Sequence, residues 1–395
     1  MSRVNVASGD REQIDMRSGT PRVARIDALR AVAVGMVMVS HMALPTGLPP
    51  VRTLLAPVKA VGWIGVDLFF VLSGFLVAGL LFREQARLGT VRIGRFLVRR
   101  GFKIYPSYYV FLTASFVAGW FPRGRPDRTQ VAVFVTFLQN YSQQKPAPWS
   151  HLWSVAVEEH FYLLLALAVA WWFQRHTTLP SWRQAMRAWL LAAVSVLLLR
   201  VASAQPVFAG GRWMEADTNF LLRTHFRLDS LLVGVALAYV YQRDPTRWAA
   251  WAARRWSLGL GGLLLLVPAM LYPFGHLVMT TVGVTCTYLG FAALFVFALG
   301  TQSAGHHTSR IERGLAFVGA HSYAIYLWHS TVRDWVAHML PSAAPSDAVW
   351  AARTAAYMVG AVVIGIGMSR LIELPMLRLR DHWFPSRSEA TPAAS

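Results

Sequence analysis

Arg30 and His41 lie eleven positions apart in one mostly apolar stretch. At about 100° per residue they return to the same helical face, with a rise of about 16 Å between them. An imidazole inside an apolar segment is costly, so such residues default to functional readings. Neutral imidazole can take a proton from a hydroxyl, and an arginine on the same face suits the anionic or polar part of a second reactant. The plainer readings are an arginine that snorkels to headgroups and a packed structural histidine.

The densest polar word is His151-Leu152-Trp153-Ser154-Val155-Ala156-Val157-Glu158-Glu159-His160-Phe161-Tyr162. His151, Ser154, Glu158 and Tyr162 follow three- and four-residue spacing and form one stripe, with Trp153 and Glu159 beside it. Glu158-Glu159-His160 does not read as a metal set, because consecutive helical side chains point about 100° apart. Another apolar stretch carries Asp67 near one end and Ser73-Gly74-Phe75 near its centre. Ser-Gly there permits close helix approach, and no Gly-x-Ser-x-Gly context makes Ser73 a nucleophile elbow. Arg227 and Asp229 are two apart and diverge, so each is expected to pair with another helix. Tyr326 and His329 share a face, whereas the match from His329 to Asp334 is short enough to arise by chance. Asn140-Tyr141-Ser142 is a formal glycosylation sequon. Cys286, the single cysteine, reads as a small core residue and leaves no disulfide framework.

The elements that position these groups read as membrane helices. Hydrophobic residues make up 55% of the 395-residue chain and charged residues only 14%, against about 25% charged in a soluble domain. Ten apolar windows stand out, near 27–46, 61–82, 105–121, 150–173, 188–204, 220–241, 257–274, 277–299, 317–340 and 348–371. The short run from Val131 to Gln139 reads as a re-entrant or interfacial piece. The expected fold is therefore all-α, a polytopic integral membrane protein of about ten transmembrane helices.

The net charge of +19 is spread through the gaps between windows, which excludes a nucleic-acid-binding module. With the N-terminus inside, 25 of the 38 Lys and Arg residues fall in inside segments, 7 in outside loops and 6 within spans. That asymmetry predicts both termini cytoplasmic. Residues 1–25 read as a disordered cytoplasmic tail without a signal-peptide core, 26–376 as the membrane domain and 377–395 as a second cytoplasmic tail. The inside segment Arg83–Lys103 holds seven cations. They suit either anionic lipid or the phosphates of a soluble donor.

Taken in order, these words resemble acyltransferase family 3, the membrane O-acyltransferases. The match runs from Arg30-x10-His41 through Gly65-Val66-Asp67-Leu68-Phe69-Phe70-Val71-Leu72-Ser73-Gly74-Phe75-Leu76. It continues with Arg99-Arg100 leading to Tyr105-Pro106, His151 to Tyr162, Arg227-Leu228-Asp229, Ser322-Tyr323 through Tyr326 and His329, and Glu373-Leu374-Pro375, covering about residues 24–380. Val155 and Ala156 stand where many relatives have Leu and Ser. The resemblance implies a ten-helix domain in the bilayer of the cell inner (cytoplasmic) membrane. It moves an acyl group, commonly acetyl, from acyl-CoA to a hydroxyl of a carbohydrate, glycolipid or macrolide-type acceptor, with no permanently bound cofactor. Some relatives carry a fused extracytoplasmic domain that is missing here, so the chain is expected to act alone or with a separate partner.

Acyl transfer from a thioester needs a base for the hydroxyl and a dipole or cation for the oxyanion. His41 is the expected base, with Glu158 first, and Asp67 or Asp229 next, to orient its imidazole. Arg30 suits the pantetheine or phosphate end of the donor. Asp67, Ser73, Arg99, Arg100, Tyr105, His151, Trp153, Ser154, Glu159, Tyr162, Arg227, Asp229, Tyr326 and His329 are the expected donor- or substrate-binding set. Direct attack and a ping-pong route are both open. A transporter or flippase of a lipid-linked glycan is the competing reading, although the internal repeat common in such folds is not seen.

Overall fold

The computed structural model describes residues 21–123, 127–142, 149–300, 309–340 and 346–385. Most of the two expected tails therefore lies outside the described residues. The chain opens with α1 (Pro21–His41), α2 (Pro49–Val61) and α3 (Gly65–Leu88), the last two joined by a single 3-10 turn. It continues with α4 (Ile93–Arg123), the short α5 (Arg128–Val135), α6 (Trp153–Phe173) and α7 (Trp182–Ser203). After a hairpin of β1 (Pro206–Ala209) and β2 (Arg212–Glu215) come α8 (Leu228–Arg243), α9 (Pro245–Ala253), α10 (Arg255–Leu271) and α11 (Val284–Leu299). The chain closes with α12 (Arg310–Ala320), α13 (Ser322–Met339), α14 (Asp347–Met368) and α15 (Leu374–Trp383).

Among the described residues, five helical stretches are long and apolar enough to cross a membrane: Pro49–Leu88, Ser150–Phe173, Trp182–Ser203, Met279–Leu299 and Asp347–Trp383. The remaining sequence-read windows fall on α1, α4, α8, α10 and the α12–α13 pair, which are shorter, broken or carry charge. The window at 220–241 opens later than expected, because 3-10 turns at Thr218–Leu222 and Thr224–Phe226 precede α8. The last window does not end at 371; a π turn at Ser369–Glu373 carries it into α15. The short run from Val131 to Gln139 is partly helical, its first half lying in the eight-residue α5. The hairpin departs from the all-α expectation, and Gly210 and Gly211, at φ 57° and 75°, supply the turn that two-residue hairpins need.

Two apolar clusters meet along α3, which packs directly on α8, α1, α11 and α6. Its closest neighbour is α8. A Cβ at Gly74 would lie 2.0 Å from the Leu231 carbonyl oxygen, and one at Gly234 would lie 2.2 Å from that of Val71. Small residues at a helix crossing allow such contact in lipid, where dispersion and not water exclusion drives association. Outward, α7 exposes Leu190, Leu191, Leu198 and Leu199. A soluble surface avoids apolar patches of that kind, and a bilayer covers them.

Candidate active site

A cavity of 710 Å³ runs along α3. Its lining positions there (Val66, Phe69, Phe70, Leu72, Ser73, Leu76, Val77, Leu80 and Glu84) mostly keep helical spacing. From Val66 to Glu84 they cover about 27 Å at 1.5 Å per residue. The Glu84 end is strongly basic. Arg95, Arg99, Arg100 and Lys103 from α4 meet Arg378, Arg380 and Asp381 from α15, and Arg30 of α1 joins the wall. Spacing places the α4 cations on one face, since 95, 99 and 103 are successive fourth positions. Polar contacts hold α15 across this mouth. Lys103 pairs with Glu373, Arg99 donates to Asp381 at 3.2 Å, and Arg95 and Arg99 bond the carbonyls of Pro385 and Phe384. Arg30 is paired with Asp27 at 2.9 Å.

Midway along the cavity, Ser73 Oγ donates to Glu158 Oε2 at 3.0 Å and lies 2.6 Å from the Tyr162 hydroxyl, which itself donates to Glu158. The Arg100 guanidinium sits 5.3 Å from the centroid of the Tyr162 ring. Near Val66 the cavity ends against Ser154 and Tyr326, whose hydroxyls are 2.6 Å apart. Tyr326 Oη also lies 2.8 Å from the His151 carbonyl.

Beyond Tyr326 stand three imidazoles. The His329 ring meets His41 edge-on at 5.0 Å between centroids and His151 at 4.8 Å. His41 Nδ1 is 2.9 Å from the Val37 carbonyl of its own helix. A carbonyl only accepts, so Nδ1 carries the proton and Nε2 keeps the lone pair that a base needs. His329 Nδ1 meets the Tyr326 carbonyl at 2.6 Å, and His151 Nε2 meets that of Leu327 at 3.1 Å.

The carboxylate expected to orient His41 is not there. Gly62 packs on Met36 and Ser40, and Gly65 on Ala33 and Val37, so α1 and α3 run antiparallel with His41 level with Gly62, in the turn before α3. Ser73, bonded to Glu158, is eleven residues further on, about 16 Å along the axis. Asp67 and Asp229 are engaged elsewhere: Arg227 meets Asp67 at 3.0 Å and Arg200 meets Asp229 at 2.7 Å, all four side chains being buried. Arg227 and Asp229 thus diverge, as their spacing predicts. Ser230 links the pairs through its hydroxyl to Asp67 and its backbone N–H to Asp229. Arg227 lies 5.7 Å from the Phe70 ring and 5.4 Å from that of Trp153. Asp67, Trp153, Arg227 and Asp229 therefore brace the cavity from behind the Phe70 wall.

Tyr105 and Glu159 bond each other away from the cavity lining. Asn140 of the sequon is fully buried and donates to Thr224 Oγ1 at 2.9 Å, which leaves it no room for a glycan. Among the described residues, no group of three or more His, Cys, Asp or Glu side chains is arranged to hold a metal ion. Sequence reasoning had Arg95 and Lys103 only as part of the seven-cation segment and Glu373 only as part of a motif, and missed Arg200, Arg378 and Arg380. The four-residue spacing of the α4 cations was a usable signal, while Arg200 in an apolar run gave none about its partner.

An acyltransferase domain family model matches residues 23–370. The O-acetyltransferase OatA of Staphylococcus aureus (strain NCTC 8325 / PS 47) is 25% identical over 323 residues, covering 77% of this chain and 49% of that protein. The peptidoglycan O-acetyltransferase OatA of Listeria monocytogenes is 26% identical over 379 residues, covering 90% of this chain and 56% of that protein. The chain spans about half the length of these curated relatives. No solved structure matches it. With the family model laid over nearly all the helices that build the cavity and the histidine group, the chain belongs to acyltransferase family 3, a membrane-embedded family.

Proposed function

We propose that this chain is a membrane O-acyltransferase that moves an acyl group, commonly acetyl, from acyl-CoA to a hydroxyl of a cell-wall glycan, with His41 as general base. One observation carries the reading: a long cavity, cationic at one end, stops one helical turn short of a group of three imidazoles. An anionic, extended donor suits that shape, phosphates at the basic mouth and thioester at the closed end. His41 Nε2 takes the acceptor's proton as its oxygen attacks the thioester carbonyl. A C–O bond forms, the C–S bond breaks, and the thiolate leaves with the proton from His41. Turned away from the His151 carbonyl to which both are directed, the Tyr326 and Ser154 hydroxyls supply O–H groups for the oxyanion.

The glycan acceptor follows the name of the Listeria relative. The topology that goes with this chemistry has ten crossings in the cytoplasmic membrane, basic mouth and both ends inside. The contacts Arg25–Glu312 and Arg99–Asp381 support it, since they draw the start of α1 to the start of α12 and the end of α15 to the first turns of α4, ends that the charge count puts on one side. The test is turnover of labelled acetyl-CoA by the purified chain in lipid nanodiscs with peptidoglycan fragments as acceptor. His41→Ala should insert normally and lose at least about 100-fold in rate, the scale of general-base catalysis. Wild-type rates in that variant would remove the mechanism; no thioester turnover with any acceptor would favour transport instead.

A further inference from the structure

We infer that Glu158, braced by Ser73 and Tyr162, binds an amide N–H of the donor's arm and sets how far the thioester advances, and is not the proton acceptor of the reaction. The inference rests on the acyl-CoA reading above. Glu158 Oε2 already takes both neighbouring hydroxyls, and among the described residues no hydrogen bond reaches its Oε1. An ionised carboxylate only accepts, and the Tyr162 and Ser73 protons are directed within the cluster. The surface offered to the cavity is therefore an acceptor surface. A ligand N–H meets the carboxylate oxygen directly, whereas an anion is drawn to the Arg100 guanidinium beside the Tyr162 ring.

Position along α3 indicates which part of the ligand arrives. Ser73 is seven residues from Val66 and eleven from Glu84, so the cluster lies about 10 Å from the closed end and about 16 Å from the basic mouth. A donor laid along α3, phosphates at the mouth and thioester at the end, passes its arm over this point. That arm holds two secondary amides, its only N–H groups between thioester and phosphate. The same spacing puts Glu158 about 16 Å from the level of His41, too far to share a reacting hydroxyl with it. Glu158 is thus a positioning residue.

The test compares acetyl-pantetheine with an analogue in which the amide N–H farther from the thioester, the one that the spacing brings to the cluster, is replaced by an ester oxygen, using the full chain in detergent. Wild type should favour the amide about 10-fold in kcat/KM, carried in KM, as expected for one hydrogen bond to a charged acceptor. Glu158→Ala should bind both donors equally, and Glu158→Gln, whose one carbonyl oxygen is held by the Ser73 and Tyr162 hydroxyls and whose NH2 is left facing the cavity, should lose the preference too. Calorimetric binding of both donors gives the same readout without turnover. The proposal is overturned if wild type does not distinguish the two donors, or if Glu158→Ala distinguishes them as wild type does. It also falls if Glu158→Gln loses more than about 100-fold in kcat on both with KM unchanged, the mark of a lost base. Failure of wild type to bind acetyl-CoA at all would instead remove the acyl-CoA reading on which this one stands.

Discussion

Arg200 and Asp229 are both fully buried and meet at 2.7 Å, and Arg200 also donates to the Phe226 carbonyl and to Thr285. Burying two charges costs more than their attraction repays unless the remaining hydrogen-bond positions are filled, as most are here. Removing one partner leaves a charge stranded in the bundle. Arg200→Met should lower stability by about 3–5 kcal/mol, while Arg200→Met with Asp229→Leu should recover most of that loss. Thermal unfolding in detergent reads both; a double variant no better than the single would show that Arg200 acts through packing. At this scale the sequence was half legible. Helical periodicity alone put Arg30 and His41 on one face. Which group orients His41 depends on the register between α1 and α3, and the answer is its own helix's Val37 carbonyl. No spacing rule within one helix sets a register between two.

The elements show the same division. Apolar length located the helices, because a run that must bury its backbone polar groups in lipid has few alternatives to helix. The breaks escaped notice. His321 divides α12 from α13, and the π turn at Ser369–Glu373 carries α14 into α15 without interruption. Such local faults are fixed by neighbours: Glu373 meets Lys103 and Ser369 there, across the α4 interface. Only the folded chain shows that α15 completes the basic mouth. Asp381, partnered by Arg99, is its second tether. Asp381→Asn should loosen α15 and change KM for acyl-CoA several-fold while leaving kcat within about 2-fold, since a partly exposed pair contributes about 1 kcal/mol or less. Steady-state kinetics decides it, and a fall in kcat with KM unchanged would place α15 in the chemistry.

Across the whole molecule, the two ends of the cavity differ in kind. One is a ring of guanidinium groups and a lysine from α4 and α15, and the other a hydroxyl pair under three imidazoles. A field that basic draws anions to one face only, and ionic strength weakens the attraction over a Debye length of about 8 Å in physiological salt. Donor entry should therefore be sided. In sealed vesicles of known orientation, acetyl-CoA should support transfer only when supplied at the face bearing the α8–α9 junction near Asp244, which the charge asymmetry assigns to the cytoplasm. KM for acetyl-CoA should rise with added salt while kcat holds. Cysteines placed one at a time in a Cys286→Ala background, at Thr246 and at Phe208, should label from opposite sides with an impermeant maleimide. Labelling of both from one side would break the alternation of helices. Equal turnover from both faces would mean that the basic mouth does not select the donor, leaving its cations to anchor the protein to anionic lipid.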